Sequence, residues 1–370
     1  MSETLPISVI LPTRNAMGSI EAHLSEIRGW LPRVAQIVVV DSSEDGTLDY
    51  LRAQIALPNV EFHSRPRGLY EGWNFGVGRT TQEYVYFSTV GDTIDLAGLR
   101  HLLDAIRTTE ADILISPPEM LDDHGSPLPP GRWPIHSITE NLSAGMPRLL
   151  APADAFRLAV SYVPETLLGS SAGNLYRRSF LATHPFPEGW GHCADSAWII
   201  SHSLEARVAV TPNVVSRFIV HAKEPTGGFA PPVEMTQFED MFRRAAVSLD
   251  ASTLPVVERD VLRGWLVALQ RRYQQFFDRF EMHKVYFARR DERIRLANER
   301  GDKFKARVAT LEEEVISARR KVTDLRREIG GYERIHRSLP GMVRLYFSVK
   351  WNQAQKAWAL LRQKIQKSST

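Results

Sequence analysis

Residues 65–93 read RPRGLYEGWNFGVGRTTQEYVYFSTVGDT, and the fold class turns on them. Leu69, Trp73 and Val77 recur at helical spacing, with Gly76 and Gly78 read as loosening the helix end. Thr80–Glu83 makes a polar turn. Tyr84-Val85-Tyr86-Phe87 is then a short apolar run of β-formers, suited to a buried strand. Ser88, Thr89, Gly91 and Asp92 follow it directly. In an open α/β sheet, ligands bind beyond the carboxyl ends of the strands, so a carboxylate here is well placed for a ligand or a metal.

Upstream, the same alternation of periods repeats. Ile7-Ser8-Val9-Ile10-Leu11 is a buried-strand run stopped by Pro12, and the polar cluster Thr13-Arg14-Asn15 follows. Ile20, Leu24, Ile27 and Leu31 mark a helix with Ser19 at its N-cap. Ile37-Val38-Val39-Val40 is a second strand ending at Asp41. A tight turn, Asp41-Ser42-Ser43-Glu44-Asp45-Gly46-Thr47, leads to a helix through Leu48, Leu51 and Ile55. Val60-Glu61-Phe62 is a third strand. This β-α-β-α-β order predicts parallel strands joined by right-handed crossovers. Neither a Gly-x-Gly-x-x-Gly turn nor a phosphate-binding-loop pattern follows the first strand, which disfavours those nucleotide folds.

Downstream, Asp95–Arg107 reads as a helix with Leu99, Leu102, Leu103 and Ile106 inward, and Ile113-Leu114-Ile115 as a strand. Between Pro117 and Pro152 the chain carries eight of its 22 prolines, with Trp133, His124 and His136 among them. Regular helix or sheet is not expected there, and the segment reads either as a binding loop or lid, or as a proline-rich connector. Val208–Val210 and Val214–Val220 are further strands, and His221 stands at the end of the last.

Composition narrows the classes. The chain of 370 residues has a net charge of +3 and an ordinary apolar share, so a sizeable core is available and nucleic-acid binding is not indicated. The single cysteine, Cys193, excludes internal disulfides and fits a reducing compartment. Met1–Pro6 lacks a leader pattern, and no apolar run reaches membrane-spanning length. A cytoplasmic protein is expected.

Several of these stretches resemble the family 2 glycosyltransferases of the GT-A fold. Val9-Ile10-Leu11-Pro12-Thr13-Arg14-Asn15 is similar to the family's opening strand, whose end lines the nucleotide pocket. Val39-Val40-Asp41-Ser42-Ser43-Glu44-Asp45-Gly46-Thr47 resembles its Val-Asp-Asp-x-Ser-x-Asp-Gly-Thr turn, one residue short. Gly68-Leu69-Tyr70-Glu71-Gly72-Trp73-Asn74 resembles its Gly-x-Tyr-Asp-Ala-x-Asn helix, and Gln82–Phe87 the strand before the Asp-x-Asp signature. Thr89 and Gly91 stand where that signature usually has carboxylates or asparagine, and Asp92 remains. Gly173–Phe180 and Phe186-Pro187-Glu188 resemble the strand and helix before the family's second acidic motif, and Ala194-Asp195 occupies the place of its Glu-Asp.

The resemblance, running from Ile7 to His221, implies a Rossmann-like α/β domain that moves a sugar, with inversion, from a nucleoside-diphosphate sugar to a hydroxyl of a glycan or lipid-linked glycan. It implies Asp195 as general base and Asp41 as partner of the nucleotide base. Pro12, Thr13, Arg14, Asn15, Arg65, Tyr70, Asn74, Thr89, Gly91 and Asp92 would line the donor pocket, with His192 and Trp190 on the acceptor or phosphate side. Mg²⁺ or Mn²⁺ would bridge the leaving diphosphate, held by Asp92 and His221; otherwise Arg14, Arg65 and Lys223 would neutralise it. Surface ion pairing is the plain alternative for the arginines, turn formation for Asp45, and helix capping for Asp195. The rival reading of the whole is a GT-A domain that has lost its metal signature and serves as a scaffold.

The last third changes character. The expected organisation is a catalytic domain over 1–236, a helical connector over 237–290, a coiled coil over 291–330 and a basic amphipathic helix over 331–370. Phe304, Val308, Leu311, Val315, Ala318, Val322, Leu325 and Ile329 alternate spacings of four and three, the seam of a self-associating coiled coil or of one long packing helix. After Glu333 the chain carries eight Lys and Arg and no acid. With Trp351 and Trp358 among them, this tail suits an anionic membrane surface at the inner face of the cytoplasmic membrane, or a protein partner.

Overall fold

The computed structural model describes residues 4–122, 124–129, 133–140, 145–163, 165–220, 235–275, 278, 313–325, 327–328 and 356. The chain divides into one unit over 1–268 and a second over 269–370.

The first unit is built on an eight-stranded sheet. Four parallel strands come first: β1 (Leu5–Thr13), β2 (Val34–Asp41), β3 (Val60–Ser64) and β4 (Tyr84–Phe87). Then come β6 (Ile113–Ile115), β8 (Arg148–Leu149), β9 (Asn174–Arg177) and β10 (Val208–Val210), in the spatial order β3-β2-β1-β4-β9-β6-β10-β8. β9 runs antiparallel to both β4 and β6, a reversal in an otherwise parallel centre that the periodicity does not reveal. A small second sheet joins β5 (Thr93–Ile94), β11 (Ser216–Val220) and β7 (Glu119–Asp122) in the order β5-β11-β7.

Alternation along each strand feeds two faces. Ile7, Val9 and Leu11 of β1 join a core with Ile20, Leu24 and Ile27 of α1 (Ile20–Ile27), Leu51 of α2 (Thr47–Gln54), and Leu99, Leu102 and Ile106 of α4 (Leu96–Thr109). Asp95 caps α4, accepting from the Gly98 N–H at 2.6 Å. On the opposite face α3 (Leu69–Arg79) lies against β1 and β2. A Cβ on Gly76 would stand 2.7 Å from Ile10 Cγ2, and one on Gly72 would stand 3.6 Å from Val40 Cγ1. These glycines therefore let helix and sheet approach closely. Gly76 does not loosen the helix end as its position suggests, and α3 continues to Arg79.

The proline-rich segment contains regular structure, contrary to expectation. Besides β7 and β8 it holds α5 (Pro134–Glu140), and Pro152 opens α6 (Pro152–Ser161). Proline at a helix start forfeits no hydrogen bond, because the first amides have no partner inside the helix. α7 (Arg178–Thr183) and α8 (Ala194–His202) follow, and α9 (Met235–Ala251) packs on α8 with Phe238, Met241, Phe242 and Leu249 buried. The first unit runs to residue 268, past the boundary at 236 that composition suggests, because the polar face of α9 masks an apolar stripe that packs on α8.

In the second unit residues 313–325 are helical. Val315, Ala318, Val322 and Leu325 are its covered positions, and the residues between them are exposed. No helix among the described residues is long and apolar enough to cross a membrane.

Candidate active site

Asp41 ends β2 in register with Thr13 at the end of β1. It is buried, and its carboxylate accepts three hydrogen bonds from this chain, of the roughly four it can take. Thr13 Oγ1 and Ser43 Oγ each donate to Oδ1 at 2.6 Å, and the Ser43 N–H donates to Oδ2 at 3.0 Å. The loop after β1 is laced to the loop after β2 in the same way. Asn15, in the left-handed region at φ 46°, donates its N–H to Ser43 Oγ at 2.8 Å and accepts from the Glu44 N–H at 2.9 Å. Asparagine tolerates that conformation because its short side chain bonds locally. Asp45 accepts from Thr47 and from the Met17 N–H, which makes it a turn residue. Pro12 is part-buried and Arg14 exposed beside this junction. The Arg65 N–H donates to the Asp41 carbonyl at 2.8 Å, and its guanidinium lies 4.4 Å from the Phe75 ring centre.

Asp195 sits in the first turn of α8 and is half-buried. Its carboxylate accepts from its neighbour's backbone, Ser196 N–H, at 2.7 Å, and from the Thr166 and Tyr70 hydroxyls. Desolvation outweighs these bonds and raises its pKa to about 7, so it is a far stronger base than an ordinary carboxylate. Tyr70 is buried and lies in the first turn of α3, the helix that follows β3. The Tyr70–Asp195 bond therefore places Asp195 at the carboxyl ends of the parallel strands, where ligands bind. Tyr70 is thus a positioning residue for Asp195.

Aromatic packing fixes this corner. Trp73 stacks on Phe87 at 4.0 Å between ring centres, and Phe186 stacks on Trp198 at 4.7 Å. Asn74 clasps the backbone of Phe186: its Nδ2 donates to the carbonyl at 2.8 Å and its Oδ1 accepts from the N–H at 2.9 Å. Its amide is thereby committed to holding the approach to α8, a structural place rather than the donor-pocket place expected from the motif. Trp190 is part-buried with the Arg244 guanidinium 4.7 Å from its ring centre. His192 lies in the turn Gly191–Cys193, directly before α8, and its side chain is outside the described residues. Cys193 is buried, which pushes its thiol up to about 12, so it is not a nucleophile.

Of the expected metal pair, only Asp92 is among the described residues. Asp92 is buried, with Ser170 Oγ donating to Oδ2 at 3.2 Å and the Ile219 N–H as a second donor. Desolvation raises its pKa to about 7. Thr89 shares a 2.6 Å hydrogen bond with Ser171, and Gly91 has no side chain, its φ of 101° serving the turn. His221 and Lys223 lie outside the described residues. A hard divalent cation needs ionised, accessible oxygens. Among the described signature residues Asp92 is the single carboxylate, the one such ligand they offer to Mg²⁺ or Mn²⁺.

The segment before β9 is the part that motif matching missed. Thr166 bonds Asp195, Ser170 bonds Asp92, and Ser171 bonds Thr89. Because β9 is antiparallel, the residues preceding it, not those following it, reach the ligand-binding edge. A serine pair just ahead of a predicted strand was the available signal.

Residues 8–181 match the family model described as Glycosyl transferase family 2. No curated protein matches the sequence. Among solved structures, the fold is similar to that of S. aureus TarS 1-349 in complex with UDP-GlcNAc, at 19% identity and a TM-score of 0.52, covering 69% of this chain and 70% of that one. The S. aureus TarS 1-349 structure gives a TM-score of 0.49 at 19% identity, covering 69% and 68%. The family match takes in residues 8–181, under half of the chain, and the likeness to the solved structure is one of fold.

Proposed function

We propose that this protein is a glycosyltransferase that binds a nucleoside-diphosphate sugar across the carboxyl ends of β1, β2 and β4 and transfers the sugar with inversion to a hydroxyl of a glycan or lipid-linked glycan, in bacterial surface-polysaccharide synthesis. The observation that carries the reading is Asp195: a half-buried carboxylate at a helix start, held by Tyr70 and Thr166, with a pKa of about 7. In the transfer, the acceptor oxygen attacks the anomeric carbon as its proton passes to Asp195. The bond from that carbon to the diphosphate oxygen breaks, and the nucleoside diphosphate leaves with the electron pair. A carboxyl of this pKa then returns its proton to solvent at neutral pH. Asp41, oriented by Thr13 and Ser43, meets the nucleotide base, and Arg14 and Arg65 meet the diphosphate.

Calorimetry with UDP, GDP, dTDP and CDP, each with Mn²⁺ and with EDTA, tests the donor site. S. aureus TarS was solved with UDP-GlcNAc, so UDP is the first choice. Binding of one nucleotide that persists in EDTA is expected. Asp195→Asn should retain that binding while turnover falls by about 10²–10⁴-fold. If no nucleotide binds, the transferase reading fails and the scaffold reading replaces it.

The apolar spacing of Phe304, Val308, Leu311, Val315, Ala318, Val322, Leu325 and Ile329 supports self-association through the seam, measured by sedimentation of the full chain. The basic composition of 331–370, which lies outside the described residues except for Lys356, supports a peripheral place on an anionic membrane. Flotation with phosphatidylserine vesicles but not with neutral ones is the expected result.

A further inference from the structure

Away from the cleft, one cluster among the described residues has the chemistry of a transition-metal site. His184, His202 and Glu205 each offer a ligand atom, and the three atoms lie within 4.8 Å of one another. His184 closes α7 and His202 closes α8. Glu205 stands in the turn that follows, where its own N–H and that of Ala206 donate to the His202 carbonyl at 3.1 and 2.8 Å. That turn sets Glu205 beside His202. Packing brings in His184, which stacks on Phe180 at 4.2 Å and lies 4.6 Å from the His202 ring. Trp198 Nε1 donates to the His184 carbonyl at 2.7 Å, so both rings rest on a fixed frame.

His184 Nδ1 faces its own helix end, 2.9 Å from both the Phe180 carbonyl and Thr183 Oγ1, and Nε2 faces Glu205 Oε1 at 3.1 Å. Nε2 is therefore the ring nitrogen turned toward the other two ligand atoms. The carbonyl on Nδ1 is also the outer partner that metal-bound histidines ordinarily have. His202 Nδ1 lies 3.9 Å from Glu205 Oε2.

We propose that His184, His202 and Glu205 bind a borderline-soft divalent cation, Zn²⁺ by preference, with a fourth position left to water. Two imidazoles and one carboxylate favour zinc over magnesium or calcium, which take oxygen ligands. Tetrahedral zinc with ligand distances of about 2.0–2.1 Å needs its ligand atoms about 3.3 Å apart. The His184–Glu205 pair already meets that spacing, and the Glu205 side chain is 62% exposed, free to swing until the third ligand closes. Arg244 of α9 also faces His202 and opposes the cation, which weakens the site without removing a ligand. Asp195 and His202 are seven residues apart on α8, roughly 10 Å along its axis. The ion therefore fastens α7 to the helix that carries Asp195 and takes no part in proton transfer.

The test is zinc titration of the full-length, tag-free protein after EDTA treatment and dialysis, read by calorimetry and by the thermal midpoint. One equivalent is expected to bind and raise the midpoint, and Co²⁺ should give the visible spectrum of a tetrahedral site. His184→Gln with His202→Gln should abolish uptake. Glu205→Gln, at an exposed position that cannot unfold the chain, should weaken it at least tenfold and leave nucleotide binding unchanged. Absence of saturable uptake by the wild-type protein would overturn the proposal and leave His184 simply hydrogen-bonded to Glu205. Uptake unaltered in the double variant would overturn it equally.

Discussion

Tyr70→Phe isolates what the hydroxyl does for Asp195. The substitution keeps the ring that packs on Trp73 and Phe186 at 5.1 and 5.3 Å and deletes only the donor to the carboxylate. A hydrogen bond to a charged group contributes about 1.5–3 kcal/mol, and one pKa unit corresponds to about 1.4 kcal/mol. Losing the bond disfavours the ionised form, so the pKa of Asp195 should rise by about one to two units above its present value of about 7. A base works ionised, so the wild-type rate should climb through about pH 7 and level off above it. In Tyr70→Phe the same limb should move to roughly pH 8 or higher. At pH 7 the ionised fraction then falls from about one half to about one tenth, roughly a fivefold loss, while rates near pH 9.5 converge. The assay is kcat/KM for transfer, or donor hydrolysis, from pH 5.5 to 9.5. A loss equal at every pH, or a wild-type profile with no limb near 7, would refute the assignment of Asp195 as base and Tyr70 as its positioning residue.

Three further outcomes follow from the geometry. Asp41→Ala removes the acceptor of Thr13 and Ser43, stranding the buried Thr13 hydroxyl; a stability loss of about 1–3 kcal/mol in urea unfolding is expected, together with loss of nucleotide binding by calorimetry. Gly76→Ala and Gly78→Ala should differ in sign. The first drives a Cβ to 2.7 Å from Ile10, whereas the second meets nothing within 4 Å, so the thermal midpoint should fall for Gly76→Ala through overpacking and rise for Gly78→Ala through helix propensity. Asp92→Asn tests a buried acid. With its folded pKa raised to about 7 from 3.8, wild-type stability from this group is full below about pH 4 and is lost as pH rises through 7. The asparagine variant should match wild type near pH 4 and exceed it at pH 8.5 by up to roughly 4 kcal/mol in denaturant melts.

Much of the scaffold is legible because its strands are buried on both faces and its helices are not. Runs such as Ile37–Val40 and Tyr84–Phe87 leave no reading but interior strand, and Asp95 announces the start of α4 by its own chemistry. Direction is what such runs withhold. Nothing in Asn174–Arg177 distinguishes an antiparallel strand from a parallel one, so the contribution of Thr166, Ser170 and Ser171 stayed hidden. Asn74 illustrates a related limit. A helical asparagine near a cleft reads as a ligand contact until its partner, 112 positions away, is found to be the Phe186 backbone. Gly76 could be assigned only once Ile10 was known to lie beneath it. Asp41 and Asp195 stand out in the sequence because each follows a strand or opens a helix, a choice that local sequence does record.

Asp92 and Asp195, each near half-titration at pH 7, are anchored to opposite ends of the same short segment, residues 166–170. This makes the domain a proton buffer at its own ligand edge. A diphosphate arriving there brings negative charge toward two acids already poised to accept protons, and raises their affinity for them. Binding then draws protons from solution, and the heat of association includes the ionisation heat of whatever buffer supplies them. Titrations of the same nucleotide in Tris and in phosphate should therefore give different enthalpies and one dissociation constant, and the difference counts the protons taken up.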